Sequence, residues 1–167
     1  NELDKTGIDW FRIHYAHPAH LSRKIIRSMA DGKNLCKYID IPIQHGSDKI
    51  LSSMRRGLNK AGIKKRLQLL KEYIPDIRIR TTVIVGYPGE GEREFKELYD
   101  LIEVMQFDRL GVFTYSEEEG TLAENYKDDV SAELKEERKG LLLDLQAEIS
   151  FEKNNSMIGQ IIKVIID

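Results

Sequence analysis

Three times along this chain a run of strand-forming residues ends in a glycine-bearing loop, and a helical pattern follows at once. "YIDIPIQ" passes through "HGS" into "DKILSSMRR", and "IRIRTTVIV" passes through "GYPGEGE" into a helix expected over Glu92–Gln106. "RLGVFTYS" passes through a polar loop into a long helix that Ser131 is placed to cap. A fourth, earlier unit pairs "FRIHY" (Phe11–Tyr15) with a helix expected from His20 to Ala30, with Pro18 near its start and Gly32 near its end. Strand–helix alternation of this kind demands parallel strands joined by helical crossovers, hence an α/β fold. No Gly-x-Gly-x-x-Gly fingerprint follows a strand, which favours part of a (β/α) barrel over a dinucleotide-binding sheet.

The helices carry readable signals. Ser47 suits an N-cap, and Asp48 suits the positive end of the helix behind it. Another helix, "KKRLQLLKEYI", follows Gly62. In Glu92–Gln106, Phe95, Leu98, Ile102 and Met105 fall on one face, with Gly91 at the cap. In the long helix the expected buried stripe is Leu134, Leu141, Leu145 and Ile149. The chain then closes on "QIIKVIID", an apolar run expected to open a further strand.

Side chains alternate across a strand, so each strand presents two different faces. One face holds Ile39, Ile41 and Ile43, then Ile79, Thr81, Val83 and Val85; it should meet the helices. The other holds Arg12, His14, Asp40, Gln44, Arg80 and Thr82. An ordinary barrel fills that interior with branched aliphatics. Burying these polar groups without partners would cost about 1–3 kcal/mol each, and more for a charge. A wet, ligand-binding interior is the simpler account, although a solvated edge strand would also carry such a face. The loops "QHGS", "GYPGE" and "TYSEEEGT" all fall at strand C-terminal ends, where barrels place their sites.

Charge and cysteine content exclude several classes. Formal net charge is −2, so no global basic field points to nucleic acid. The locally basic "MRRGLNKAGIKKR" reads as a solvated helix face. Cys36 is the single cysteine, which rules out a disulfide framework or an all-cysteine cluster site built from this chain alone. No apolar run is long enough to span a bilayer, and a signal-peptide core is lacking at the N-terminus; a cytoplasmic address is expected. A start at Asn1 rather than methionine is what a fragment would show.

The segments "YIDIPIQHGSDKILSSMRRG", "RTTVIVGYPGEGEREF" and "DRLGVFTYSEEEGT" resemble, in this order, the radical SAM methylthiotransferase family. "DIPIQH" and the "YS-EEGT" pattern are similar to the branch that modifies a ribosomal protein. The resemblance implies the C-terminal part of a radical SAM partial (β/α) barrel over residues 1–158. It also implies the opening strand of a truncated TRAM domain over 159–167. It implies S-adenosyl-L-methionine as cofactor, and 4Fe-4S clusters in the full-length protein only. The Cys-x3-Cys-x2-Cys motif that would hold the cofactor-binding cluster is absent here. The sequence also departs from the family loops at Arg56-Gly57-Leu58 and Gly89-Glu90-Gly91.

Carried over by position, the resemblance places Gln44 at a polar contact to S-adenosylmethionine and Arg80 on its methionine carboxylate. Val85, Gly86 and Tyr87 fall beside the adenine, framed by Phe113, Tyr115 and Ser116. His45 would position cofactor or substrate, or only brace its loop. Glu118 and Glu119 flank the mouth, toward the substrate protein. The implied partners are a small-subunit ribosomal protein as substrate and the upstream domains of the same parent chain, with no membrane and no nucleic acid through this segment. The implied reaction begins with electron transfer from the reduced cluster. A deoxyadenosyl radical then takes hydrogen from the β-carbon of an aspartate on small-subunit ribosomal protein twelve, and a methylthio group is attached. No residue here need be a general base, and the fragment alone, lacking the cluster cysteines, is expected to be inactive. The readings kept beside it are a tRNA methylthiotransferase, a catalytically silent barrel fragment acting as a binding module, and an unrelated barrel enzyme using Arg12, His14 and Asp40 as an acid–base set.

Overall fold

The computed structural model describes residues 2–162. Four parallel strands form one sheet in sequential order: β1 (Phe11–Ile13), β2 (Leu35–Asp40), β3 (Arg78–Val85) and β4 (Arg109–Thr114). The crossovers carry α1 (Arg23–Ala30), α2 (Asp48–Ser53), α3 (Lys60–Tyr73) and α4 (Glu92–Met105), and α5 (Ala132–Asn155) follows β4. Sequential order without a reversal is barrel topology, in contrast to the switch-point order of dinucleotide folds.

The aliphatic face lies where strand alternation places it. Ile39, Ile41, Ile43, Ile79, Val83 and Val85 are buried against Leu67, Leu70, Leu98 and Ile102 from the helices. Each such side chain contributes about 1.5–3 kcal/mol by leaving water. The opposite sheet face stays open, with Arg12, Arg78, Arg80 and Phe113 exposed.

Several elements differ from the sequence reading. α1 begins at Arg23, because Ser22 caps it (Oγ accepts the Ile25 N–H at 3.3 Å) and Pro18–His20 forms a separate 3-10 turn. Ser47 occupies the N-cap position of α2, but its hydroxyl makes no capping bond. α4 ends at Met105 because Gln106 adopts a left-handed conformation, φ +53°. On α5 the buried face is Lys135, Arg138, Leu142, Leu145, Gln146 and Ile149, while Leu141 is 45% exposed. The stripe is therefore rotated from the expected one, and its first half is charged. Of the strand expected over 159–167, residues 160–162 are neither helix nor strand, and 163–167 lie outside the described residues.

Candidate functional site

A groove of about 650 Å³ opens beyond the C-terminal ends of β2, β3 and β4. One wall is Gln44 and the end of α2 with the turn after it (Ser53 to Arg56); the floor is Ile84 and Tyr87; the far wall is Phe113 to Ser116, with Glu118, Thr121 and Ala123 at the lip.

Gln44 reaches this groove through a defect in the sheet. Asp40 pairs with Arg80, and Gln44 pairs with Val83, so four residues on one strand span three on the other. Pro42 has no N–H to donate at the interruption. The Thr81 hydroxyl fills it, donating to the Ile41 carbonyl at 2.7 Å and accepting the Ile43 N–H at 3.4 Å. Gln44 then rejoins β3: its N–H donates to the Thr82 carbonyl at 3.0 Å, and its carbonyl accepts the Ile84 N–H at 2.9 Å. Its φ is +70°, a left-handed conformation that a non-glycine residue holds only where its surroundings impose it. Bulges commonly re-aim side chains next to active sites.

The next residues fix this geometry from behind. Gly46 lies so close to α4 that a Cβ would come within 2.6 Å of the Leu98 Cα. His45 is fully buried: its Nδ1 accepts the Ser47 N–H at 2.9 Å, and its Nε2 lies 2.8 Å from Glu90 Oε2. An Nδ1 that accepts leaves the ring proton on Nε2, where it donates to the carboxylate. Glu90 Oε1 accepts the Gly86 N–H at 3.0 Å and Arg138 Nη1 at 2.7 Å, and the same Nη1 reaches the Glu90 carbonyl at 3.0 Å. The loop after β2, the loop after β3 and α5 are thus tied through one buried carboxylate.

Tyr87 and Tyr115 meet edge to face with centroids 5.2 Å apart. The Tyr115 hydroxyl is buried without a hydrogen-bond partner among the described residues. Burial first, then Tyr87, Glu117 and Asp128, push its pKa up from the ordinary phenol value. Lys135 lies over the Tyr115 ring at 5.2 Å, donates to the Tyr115 carbonyl at 3.2 Å and pairs with Asp128. Asp129 accepts the Gly89 N–H at 2.8 Å. Lys135, Asp128 and Asp129 thus moor the segment after β4 beside the groove.

Six of the residues expected at the site line the groove: Gln44, Tyr87, Phe113, Tyr115, Ser116 and Glu118. His45 lies behind the wall. The Val85 side chain is buried in the core, while its carbonyl accepts the Tyr115 N–H at 2.8 Å. Gly86, φ +72°, leaves room for the Lys135 stem, which a Cβ would strike at 2.2 Å. Arg80 shares the open sheet face but lies outside the groove lining, with Nε 3.6 Å from Asp40 Oδ2. Glu119 is exposed and also outside the lining. Arg55 and Arg56, which the sequence assigns to a solvated face, both border the groove: Arg55 stays exposed, while Arg56 is half-buried and its Nη2 donates to the Pro42 carbonyl at 3.1 Å. The signal available for them was position alone: both fall just beyond α2 at the turn that ends in Gly57.

Residues 2–102 match the family model of the Radical SAM superfamily. The chain belongs to that superfamily. It is 45% identical over 162 residues to a protein of Phocaeicola vulgatus named ribosomal protein uS12 methylthiotransferase RimO, covering 96% of this chain and 38% of that one. A protein of the same name from Christiangramia forsetii is 45% identical over 167 residues, covering 100% and 37%. The chain therefore spans about two fifths of the length of these curated relatives. Among solved structures, the radical SAM enzyme coproporphyrinogen III oxidase (HemN) of Escherichia coli superposes with a TM-score of 0.68 at 16% identity, over 82% of this chain and 32% of that one. That likeness supports the fold: four parallel strands of a radical SAM partial barrel, as the strand–helix alternation implies.

Proposed function

We propose that this chain is the C-terminal part of the radical domain of a methylthiotransferase acting on the β-carbon of an aspartate in small-subunit ribosomal protein uS12, and that the groove receives S-adenosylmethionine. The observation that carries this is convergence: the loops after β2, β3 and β4 each contribute side chains to one groove, at the end of the strands where barrels work. Small-molecule sites typically enclose about 300–1,000 Å³, with apolar walls and few oriented polar groups. Tyr87, Phe113 and Tyr115 supply flat apolar surface for an adenine, and Gln44 offers an amide. Arg56, part-buried and held by Pro42, is better placed in the groove than Arg80 for the methionine carboxylate, which a guanidinium binds in fork geometry.

When bound, S-adenosylmethionine supplies the hydrogen-abstracting chemistry; the residues of this chain bind it, orient it and exclude water. Cluster ligands belong to the parent protein outside this chain: Cys36, its one thiol, sits early on β2, away from the groove end. The residues from Gly159 onward begin a TRAM-type domain, and the protein works in the cytoplasm beside its ribosomal substrate.

The test is expression of the intact protein in cells lacking their own methylthiotransferase, followed by mass spectrometry of uS12 and of tRNA. A methylthio mass on uS12 is expected. The same mass on tRNA with uS12 unchanged would overturn the reading.

A further inference from the structure

Arg55 follows α2 with a backbone φ of +52°. That left-handed conformation is adopted readily by glycine and asparagine and poorly by arginine. Neighbouring Gly57, at φ +72°, has the residue type such a turn favours. Arg55 nonetheless places an exposed cation at the groove wall, on a turn that also borders a second cavity beside Leu58 and Asn59.

The charge has no internal use. Among the described residues the Arg55 guanidinium makes no hydrogen bond and no ion pair, whereas adjacent Arg56 is tied to the Pro42 carbonyl. Glu118 lines the opposite lip and is not paired with Arg55. Among the described residues, the mouth therefore presents an unpaired guanidinium on the α2 side and an unpaired carboxylate on the β4 side. An incoming carboxylate would be drawn to the first and repelled by the second, which fixes it to one wall. A guanidinium offers parallel N–H donors matching the two oxygens of a carboxylate.

We propose that Arg55 reads the side-chain carboxylate of the acidic residue that the substrate protein presents to the groove. This rests on the functional reading above and adds to it the residue that sets substrate specificity. Arg55 here is a binding residue for substrate, distinct from Arg56, which is held by the Pro42 carbonyl and which the proposed function assigns to the cofactor.

The experiment uses the intact, cluster-loaded protein and its Arg55→Asn and Arg55→Lys variants. Asparagine suits the backbone at this position, so loss of the charge is separated from loss of the fold; the thermal midpoint of Arg55→Asn should stay level or rise. Two readouts are taken: binding of a fluorescent uS12 segment carrying either aspartate or asparagine at the target, and KM and kcat for methylthiolation of uS12. The wild type should bind the aspartate segment about ten- to a hundredfold better than the asparagine one, the range of a charge-assisted pair. Arg55→Asn should erase that preference and raise KM by a similar factor, with less effect on kcat, and Arg55→Lys should restore part of it. Affinity for S-adenosylhomocysteine should be unchanged in both variants. Retained aspartate preference in Arg55→Asn would overturn the proposal, as would a loss of S-adenosylhomocysteine affinity in step with substrate, which would assign the guanidinium to the cofactor. A wild-type protein that leaves uS12 unmodified while methylthiolating tRNA would remove the functional reading itself and this inference with it.

Discussion

At the scale of single residues, the groove depends on groups that never touch it. Glu90 is 3% exposed and holds His45, the Gly86 N–H and Arg138 at once. Arg138 is also 3% exposed, and its charge lies 5.2 Å over the Phe95 ring. Buried ion pairs of this kind need not stabilise a fold relative to an apolar core, but removing one partner strands the other. Glu90→Gln should therefore destabilise the protein by about 3–5 kcal/mol, read as a lower urea midpoint. Adding Arg138→Met, which removes the stranded charge, should recover part of that loss. If the double variant is no more stable than Glu90→Gln, the cost lies in the lost Gly86 and His45 bonds instead of the orphaned guanidinium.

At the scale of elements, the far end of the sheet from the groove is tied by Asp108, between α4 and β4. Its carboxylate accepts the Ile79 N–H at 2.8 Å, Arg78 Nη1 at 3.0 Å and Lys153 Nζ at 3.0 Å, joining β3, β4 and α5. Burial pushes the Asp108 pKa up, but the Ile79 N–H, Lys153 and Arg78 together outweigh it, so the net direction is down from 3.8. A depressed carboxylate contributes stability that is present above its unfolded pKa and is lost as pH falls through the lower folded value. Unfolding free energy should thus fall as pH drops below about 4, and Asp108→Asn should flatten that slope while costing about 1–3 kcal/mol at neutral pH. An unchanged acid slope in Asp108→Asn would assign the acid sensitivity to other carboxylates. The elements themselves were largely legible in the sequence, because period-2 alternation marks Ile39 to Ile43 and Ile79 to Val85 independently of context. What alternation does not reveal is the extra residue before Gln44, since a bulge breaks the period at a single point and depends on Thr81 from another strand. The helix face of α5 was misread for a related reason: Lys135 and Arg138 carry the chemistry of solvated residues, and only Asp128 and Glu90, brought near by folding, make their burial favourable. Arg56 followed the same rule, looking like surface charge until folding brought the Pro42 carbonyl beside it, whereas Arg55 stays exposed.

At the scale of the whole molecule, a net charge of −2 supplies little overall field, so any steering by this chain falls to local charge at the groove mouth. Glu118 stands at the lip and Glu119 is exposed beside it, with Arg55 across the groove. Under the proposed function the substrate is a ribosomal protein that offers one acidic side chain within basic surroundings. The two signs at the mouth fit that pattern: Arg55 meets the acid, and the glutamates attract what surrounds it. Exposed charges act mainly on encounter rate and are screened beyond a Debye length of about 10 Å at 0.1 M salt. Reversing both glutamates to lysine should then raise KM for uS12 several-fold at low ionic strength, with kcat and cofactor affinity little changed. The difference from wild type should shrink as salt is added, because screening removes an advantage the variant has already lost. An effect that persists undiminished at 1 M salt, where the Debye length is about 3 Å, would mean the glutamates make short contacts with substrate and do not merely steer it. No effect at any salt would leave the groove reading in place and assign substrate capture to parts of the parent protein beyond this chain.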